Sequence, residues 1–243
     1  MQEKIKATER QAIPEWLTAA SRRGVLSRVP TSTVAAVIQG GQRATYPAGV
    51  VIAGLEDGAW ATLVLAGSVR AFVPSYEGGQ ITLRYLRPGD LIGTFVGMPA
   101  GLSRSLQASE SVDLLHLDAA RLAGLARNDA QLAWELMLEE ARVARLANRS
   151  YGIRAFGSIR LRVANAILEQ ALAAGLVEKG TTVRGTQHDL ALAAGTVREV
   201  VATALQGLKR EGIIATRRGG IVILDPDRLA READGGFGLG PPD

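Results

Sequence analysis

The chain has no cysteine, only two histidines, and just 5% aromatic residues. Without cysteine there is no disulfide, no thiolate zinc or iron–sulfur site and no thiol nucleophile. His116 and His188 alone are too few for a multi-histidine metal centre. Long hydrophobic runs are also missing. The longest charge-free stretch, Val29 to Gln42, has 14 residues and contains Pro30. A membrane-spanning helix needs about 20 mostly apolar residues. Glu3, Lys4, Lys6, Glu9 and Arg10 near the start do not read as a secretory signal. There is no nucleophile elbow, no GxxxxGK[ST] phosphate loop and no metal-ligand cluster, so an enzyme is not expected, nor is a cofactor. The expectation is a soluble, cytoplasmic protein.

What is present is enough apolar residue for a sizeable core: 47% of 243. At roughly 150 residues per domain this is one large domain or two modest ones. The net charge of +4 is unevenly spread. Phe156 to Leu224 holds nine Lys/Arg against five acids, whereas Asp225 to Asp243 holds two bases and five acids. The structured part of the C-terminal third is the most basic region, which hints at an anionic partner.

Residues 1–40 read as mixed helix and loop, punctuated by Pro14, Pro30 and Gly40-Gly41. From Ala44 to Leu117 short apolar runs alternate with turns such as Pro47-Ala48-Gly49, Ala66-Gly67-Ser68 and Pro88-Gly89-Asp90. Strands spaced this way suggest a small β-barrel or roll. After Asp118 the apolar period becomes helical. Asn128-Asp129 can start a helix that meets no proline through Ala155. Leu132, Leu136, Glu139, Val143, Leu146, Ser150 and Ile153 step by four and three, the seam of two packed helices. The same pattern also suits an amphipathic helix lying on its own domain. Its length of about 39 Å favours a dimer helix. Phe156-Gly157-Ser158 breaks it, and Ser158 can cap a further helix ending at Gly175.

The most informative stretch is Gly185 to Leu224. Thr186 followed by Asp189 is a capping pattern opening a short helix, Gln187–Ala193. Ala194-Gly195 makes a tight turn. Thr196 with Glu199 repeats the pattern and opens a second helix from Val197 to about Glu211, ended by Gly212. Leu190, Ala193, Val197, Val200, Val201 and Leu205 are the expected inward positions. Strand, turn and strand follow, with Arg217 and Arg218 at the tip. This is a winged helix-turn-helix. Its second helix suits the major groove of double-stranded DNA: Arg198 has the fork that pairs with guanine, and Glu199 accepts from cytosine. Thr196, Gln187 and the helix N-termini suit phosphates. Glu199 also fits a purely capping role, and Arg217 and Arg218 are either ordinary exposed charges or backbone contacts.

The order of roll, long helix, hinge and winged helix resembles the CRP/FNR family of bacterial transcription regulators over roughly Arg43 to Leu224. Gly195-Thr196-Val197-Arg198-Glu199-Val200-Val201 looks like the family's recognition-helix signature, and Leu86-Arg87-Pro88-Gly89-Asp90-Leu91-Ile92-Gly93 matches its roll. The resemblance implies an α+β fold with a cyclic-nucleotide-binding-like β-roll, a dimerisation helix and a DNA-binding domain. The expected divisions are 1–129, 130–156 and 157–226, with 227–243 a flexible tail. It also implies a homodimer on a palindromic site, base contacts from Arg198 and Glu199, and RNA polymerase as protein partner. Val197 falls inside the signature. Thr203 stands where the family often has a second base-reading arginine. In cyclic-AMP responders a glutamate follows the glycine matching Gly93; here Thr94 does. An Arg-Ser pair ten residues on is matched by Arg104-Ser105. Two adjacent hydroxyl residues of the long helix are replaced by Ala147 and Asn148. Tight cyclic AMP binding is therefore not expected. Two modes of control stay open: an unidentified small ligand in the roll, or ligand-independent binding set by protein level.

Overall fold

The computed structural model describes residues 3–4, 13–52, 59–74, 79–93, 105–175, 177–217 and 219–234. They divide into two units, Met1–Pro74 with Leu86–Val143, and Ser75–Tyr85 with Ala144–Asp243. The architecture is α+β, and no described helix is long and apolar enough to cross a membrane.

The first unit opens with strand β1 (Glu3–Lys4), three short 3-10 turns between Glu15 and Ser27, and helix α1 (Thr31–Ile38). Strands β2 (Gln42–Tyr46), β3 (Val51–Ile52), β4 (Trp60–Ala66) and β5 (Val69–Pro74) follow. β6 (Gln80–Leu86) begins in the second unit and returns the chain to the first at Leu86. β7 (Leu91–Ile92), β8 (Ser105–Ala108), β9 (Val112–Asp118) and helix α2 (Ala119–Asn128) complete the roll. One antiparallel sheet runs β1-β2-β9-β4-β7; in the other, β8 lies between β3 and β5. Strand β9 shows how period two builds two cores. Val112 and Leu114 face the roll interior with Val64, Val69, Leu86 and Leu106. Leu115 and Leu117 face outward onto Leu17, Val37, Leu122 and Leu132.

Helix α3 (Ala130–Phe156) starts where the Asp129 carboxylate accepts from the Leu132 amide (3.0 Å) and from the Thr33 hydroxyl (2.8 Å). Those bonds hold the Asp129 carboxyl below the usual carboxylate range. The division between units falls within α3, because its first part packs on the roll and its last part on the second unit. The expected seam is taken up in part by the chain itself, while Val143, Leu146 and Ser150 are half-buried. Leu132 is 1% exposed in the roll's outer core, with Leu136 packed beside it, and Glu139 is 2% exposed. Arg142 bonds Glu139 (2.7 Å) and Asp90 (3.2 Å), and Arg28 pairs with Glu135 (2.8 Å). Ile153 is buried too. The opposite side carries the exposed apolar groups: Trp134 (57%), Met137, Leu138, Tyr151 (62%) and Phe156 (82%). A heptad count finds an apolar stripe; it does not say which surface covers it.

In the second unit, helix α4 (Ile159–Ala174) is capped by Ser158, whose hydroxyl accepts from Leu161. Strand β10 (Thr182–Arg184), helices α5 (Gln187–Ala194) and α6 (Arg198–Arg210), and strands β11 (Ile214–Arg217) and β12 (Gly220–Ile223) follow. The sheet order is β10-β12-β11. Their core gathers Val163, Ile167, Val201, Leu208, Ile213 and Ile223. The segment expected as a flexible tail begins instead with helix α7 (Pro226–Asp234), whose Leu229 and Ala233 lie in the same core. Asp225 caps it through the Arg228 amide (2.9 Å), and Pro226 suits a first helical turn. Its many charges conceal an apolar pair four residues apart.

Candidate nucleic-acid interface

The helix-turn-helix is held by local chemistry. Thr186 and Asp189 form a reciprocal capping box at the start of α5. Gly195 closes α5 with φ +62°, the left-handed region that glycine adopts without strain. The Arg162 guanidinium of α4 donates to the Gly195 carbonyl at 3.2 Å and so ties the turn to the core helix.

Helix α6 starts differently from the sequence expectation. Its N-cap is Val197, with φ −104° and ψ 158°, and this residue supplies no side-chain cap. The Thr196 amide bonds to the Ala191 carbonyl (3.0 Å), so this residue still belongs to the turn. The helix begins one residue later than the Thr196 capping pattern requires. Val197, expected inward, is 59% exposed for the same reason. Leu190, Val201 and Leu205 are buried as expected.

Arg198 and Glu199 occupy the first turn of α6, exposed, and their side chains make no hydrogen bond or ion pair among the described residues. Thr203 is exposed one turn on, its hydroxyl turned back onto the Glu199 carbonyl (3.2 Å). Gln206 continues this row and was not singled out from the sequence; extending the 3.6-residue period from Glu199 through Thr203 finds it. Gln187 is half-buried at the start of α5, and Thr196 is half-buried in the turn.

The wing adds charge. Arg217 is exposed at the end of β11, and Arg218 lies outside the described residues. Gly220 pairs with Arg217 on one side and with Arg184 on the other. The sheet thus sets two exposed arginines on either side of a glycine. Arg184 was counted in the sequence charge but not placed, because only strand register brings it there. A side chain at Gly220 would stand 2.5 Å from the Val183 carbonyl oxygen, which explains the glycine.

The effector-type residues are less complete. Thr94 and Arg104 lie outside the described residues. Gly93, φ +83°, follows β7, and a Cβ there would lie 2.6 Å from the Trp60 carbonyl oxygen. Ser105 opens β8 in the first unit, whereas Asn148 is exposed on the part of α3 that belongs to the second. Inside the roll, His116 is bracketed by the Thr62 hydroxyl (3.0 Å to Nδ1) and the Tyr46 hydroxyl (3.0 Å to Nε2). Burial pushes His116 below the usual histidine value. Arg70 donates to Gln107 at 3.0 Å and lies over the Phe72 ring. No group of three or more His, Asp or Glu among the described residues could hold a metal ion.

Residues 161–232 match the family model of the Crp-like helix-turn-helix domain. The Cyclic AMP receptor protein of Thermus thermophilus is 34% identical over 200 residues, covering 82% of this chain and 89% of that protein. The CRP-like cAMP-activated global transcriptional regulator of Mycobacterium tuberculosis is 27% identical over 218 residues, covering 88% and 97%. Among solved structures, FixK2 from Bradyrhizobium japonicum superposes with a TM-score of 0.68 at 22% identity, covering 79% of this chain and 96% of that one.

Proposed function

This chain belongs to the CRP/FNR family of transcription regulators, and from that premise we propose that it binds a palindromic promoter site as a homodimer through the exposed first turn of α6. The observation that carries this reading is the pair Arg198 and Glu199, exposed and without side-chain partners among the described residues, at the N-terminus of a helix anchored by a buried core. Arg198 reads a guanine edge, and Glu199 accepts from cytosine. Arg217 and Arg184, with Gln187 and Thr196, hold backbone phosphates, which set register without reading sequence. The dimer forms through the face of α3 that bears Trp134, Met137, Leu138 and Tyr151, which a second copy covers. Dimer symmetry sets two half-sites about 34 Å apart. RNA polymerase is the protein partner of the promoter-bound dimer, and the cytoplasm is where it works.

The test is selection of bound sequences from a random duplex library with the full chain, then anisotropy titrations on the recovered and a scrambled duplex. Arg198→Ala is expected to weaken the recovered site on the order of tenfold or more while leaving the scrambled duplex nearly unchanged, since a bidentate pair discriminates by about 1–3 kcal/mol per base. Equal loss on both duplexes would reduce Arg198 to a phosphate contact.

The roll takes a small effector other than cyclic AMP, or none. Thr94 stands where the family's cyclic AMP responders carry a ribose-gripping glutamate, and a charge-assisted bond of that kind contributes about 1.5–3 kcal/mol. The names of both relatives make cyclic AMP the first ligand to titrate. Submicromolar calorimetric binding that also tightens DNA binding would overturn this part of the reading.

A further inference from the structure

Two helices of one motif begin in opposite ways. α5 has its full reciprocal box, Thr186 with Asp189. α6 has Val197 at the cap and no side-chain acceptor for its leading amides. Serine, threonine, aspartate or asparagine would supply that acceptor; valine cannot. The isopropyl group is not compensated by burial either, being 59% exposed. The extended backbone at Val197 suits a β-branched residue but does not require one. Folding therefore gains little from valine here, and a residue chosen against the local preference needs another reason.

Its neighbours supply one. Val197 directly precedes Arg198 and Glu199, and all three are exposed at the same helix end. The major groove has one prominent apolar landmark, the C5-methyl of thymine, set among groups that donate or accept hydrogen bonds. An isopropyl group has nothing to offer those polar atoms and can gain by covering that methyl. We propose that Val197 is a specificity-determining residue that reads a thymine methyl next to the G·C pair read by Arg198. The inference rests on the proposal that the first turn of α6 enters the major groove. It adds an apolar contact to the polar ones and selects an A·T pair at a defined place.

The experiment uses the full chain and the duplex recovered by selection. Each thymine is replaced by deoxyuridine, one symmetry-related pair at a time, which removes the methyl and leaves every hydrogen-bonding group intact. Affinity is expected to fall about fourfold per half-site at one position, within two base pairs of the G·C pair identified through Arg198→Ala, and to stay unchanged at the others. Val197→Ser is expected to lose that response at the same position. It should also raise the Tm, because serine restores the cap, so a loss of response is not a loss of fold. A duplex series that binds specifically but ignores every deoxyuridine overturns the methyl contact and leaves the Arg198 reading standing. So does a recovered site with no thymine at that place, or a Val197→Ser variant that keeps the wild-type response. A chain that enriches no sequence overturns both proposals.

Discussion

Helices α3 and α4 follow one another in the chain and are built in opposite senses. α4 buries nine residues of sixteen, and eight of the nine are apolar. α3 is longer, yet its buried residues are Leu132, Glu139, Arg149 and Ile153, two of them charged. Its largest apolar groups, Trp134 and Tyr151 among them, lie outside. α4 satisfies its apolar surface within its own unit: α5, α6, α7 and β10 all pack on it. α3 pairs its inward charges one by one and leaves its outward face unfinished. Glu139 has Arg142, and Arg149 donates to Asn165 (2.7 Å) and to the Ala233 carbonyl (3.3 Å). A helix that satisfies its buried charges with ion pairs and hydrogen bonds while exposing tryptophan fits the proposed pairing through its outward face.

The strongest way to break this comparison is to charge the exposed face of α3. Trp134→Asp with Leu138→Asp places unpaired carboxylates in the proposed interface. Light scattering is expected to show the mass falling from twice 25.6 kDa to 25.6 kDa. Affinity for the palindromic duplex should fall on the order of hundredfold, because the second half-site no longer binds intramolecularly. An unchanged dimer would mean that another surface pairs the chains. Leu136→Asp should act otherwise, since Leu136 packs into the roll's outer core: the first unit loses stability. On α4 the corresponding test is Ile167→Ala. Ile167 is fully buried, and truncation should cost about 2–5 kcal/mol in urea unfolding.

These helices also show what a sequence reveals and what it conceals. The α5 box, the Gly195 turn and the Gly212 stop are local signals, each decided by neighbours in sequence, and the winged helix was legible from them. The spacing of short apolar runs by turns such as Ala66-Gly67-Ser68 likewise exposed the roll. Misreadings arose where the answer depends on distant packing or on a shift of one residue. Thr196 fits a cap pattern, yet the backbone makes Val197 the cap, one residue later. The α3 stripe was real, but Leu132 and Leu136 at its start are covered by the chain's own roll. α7 was hidden because its charges outweigh Leu229 and Ala233. Arg184 reaches the wing through register with Gly220, which no short motif records.

A smaller effect tests the charged side of the comparison. Arg149→Met removes the donor to Asn165 and Ala233 and takes a cation away from Glu169. Stranded buried acceptors cost about 2 kcal/mol. The pH dependence has a definite sign. Burial raises the Glu169 carboxyl above the usual carboxylate value, with the Asn165 amide and then Arg149 and Arg154 opposing it. A raised folded-state pKa means that the native chain binds the extra proton. Stability associated with that proton is present below the usual carboxylate value and is lost as pH rises through the raised one. Removing Arg149 raises it further, so the deficit of the variant should widen from the acid side toward neutrality. Urea midpoints measured across that range check it; a deficit independent of pH would show that Glu169 does not sense Arg149.

The smallest effect is expected on the solvent side of α4. Arg160 donates to Glu232 (2.7 and 3.0 Å) and to Glu211 (2.5 and 2.8 Å), joining α4 to the end of α6 and to α7. These groups are exposed enough for water and salt to screen them, and such pairs contribute little to stability. Arg160→Ala should lower the Tm by only about 2 °C at neutral pH and low salt, and by less at high salt. The hydrogen bond from Arg160 holds the Glu211 carboxyl below the usual carboxylate range. A depressed folded-state pKa gives stability that is present above the usual carboxylate value and is lost as pH falls through the depressed one. Wild type and Arg160→Ala should therefore differ most at neutral pH and converge as the solution is acidified, the same direction as the trend for Arg149→Met but with a smaller amplitude. Melting curves of both variants over one pH series decide the matter. If the Arg160→Ala deficit persists after Glu211 is protonated, the side chain acts there through its packing on α4 and α7 rather than through its charge.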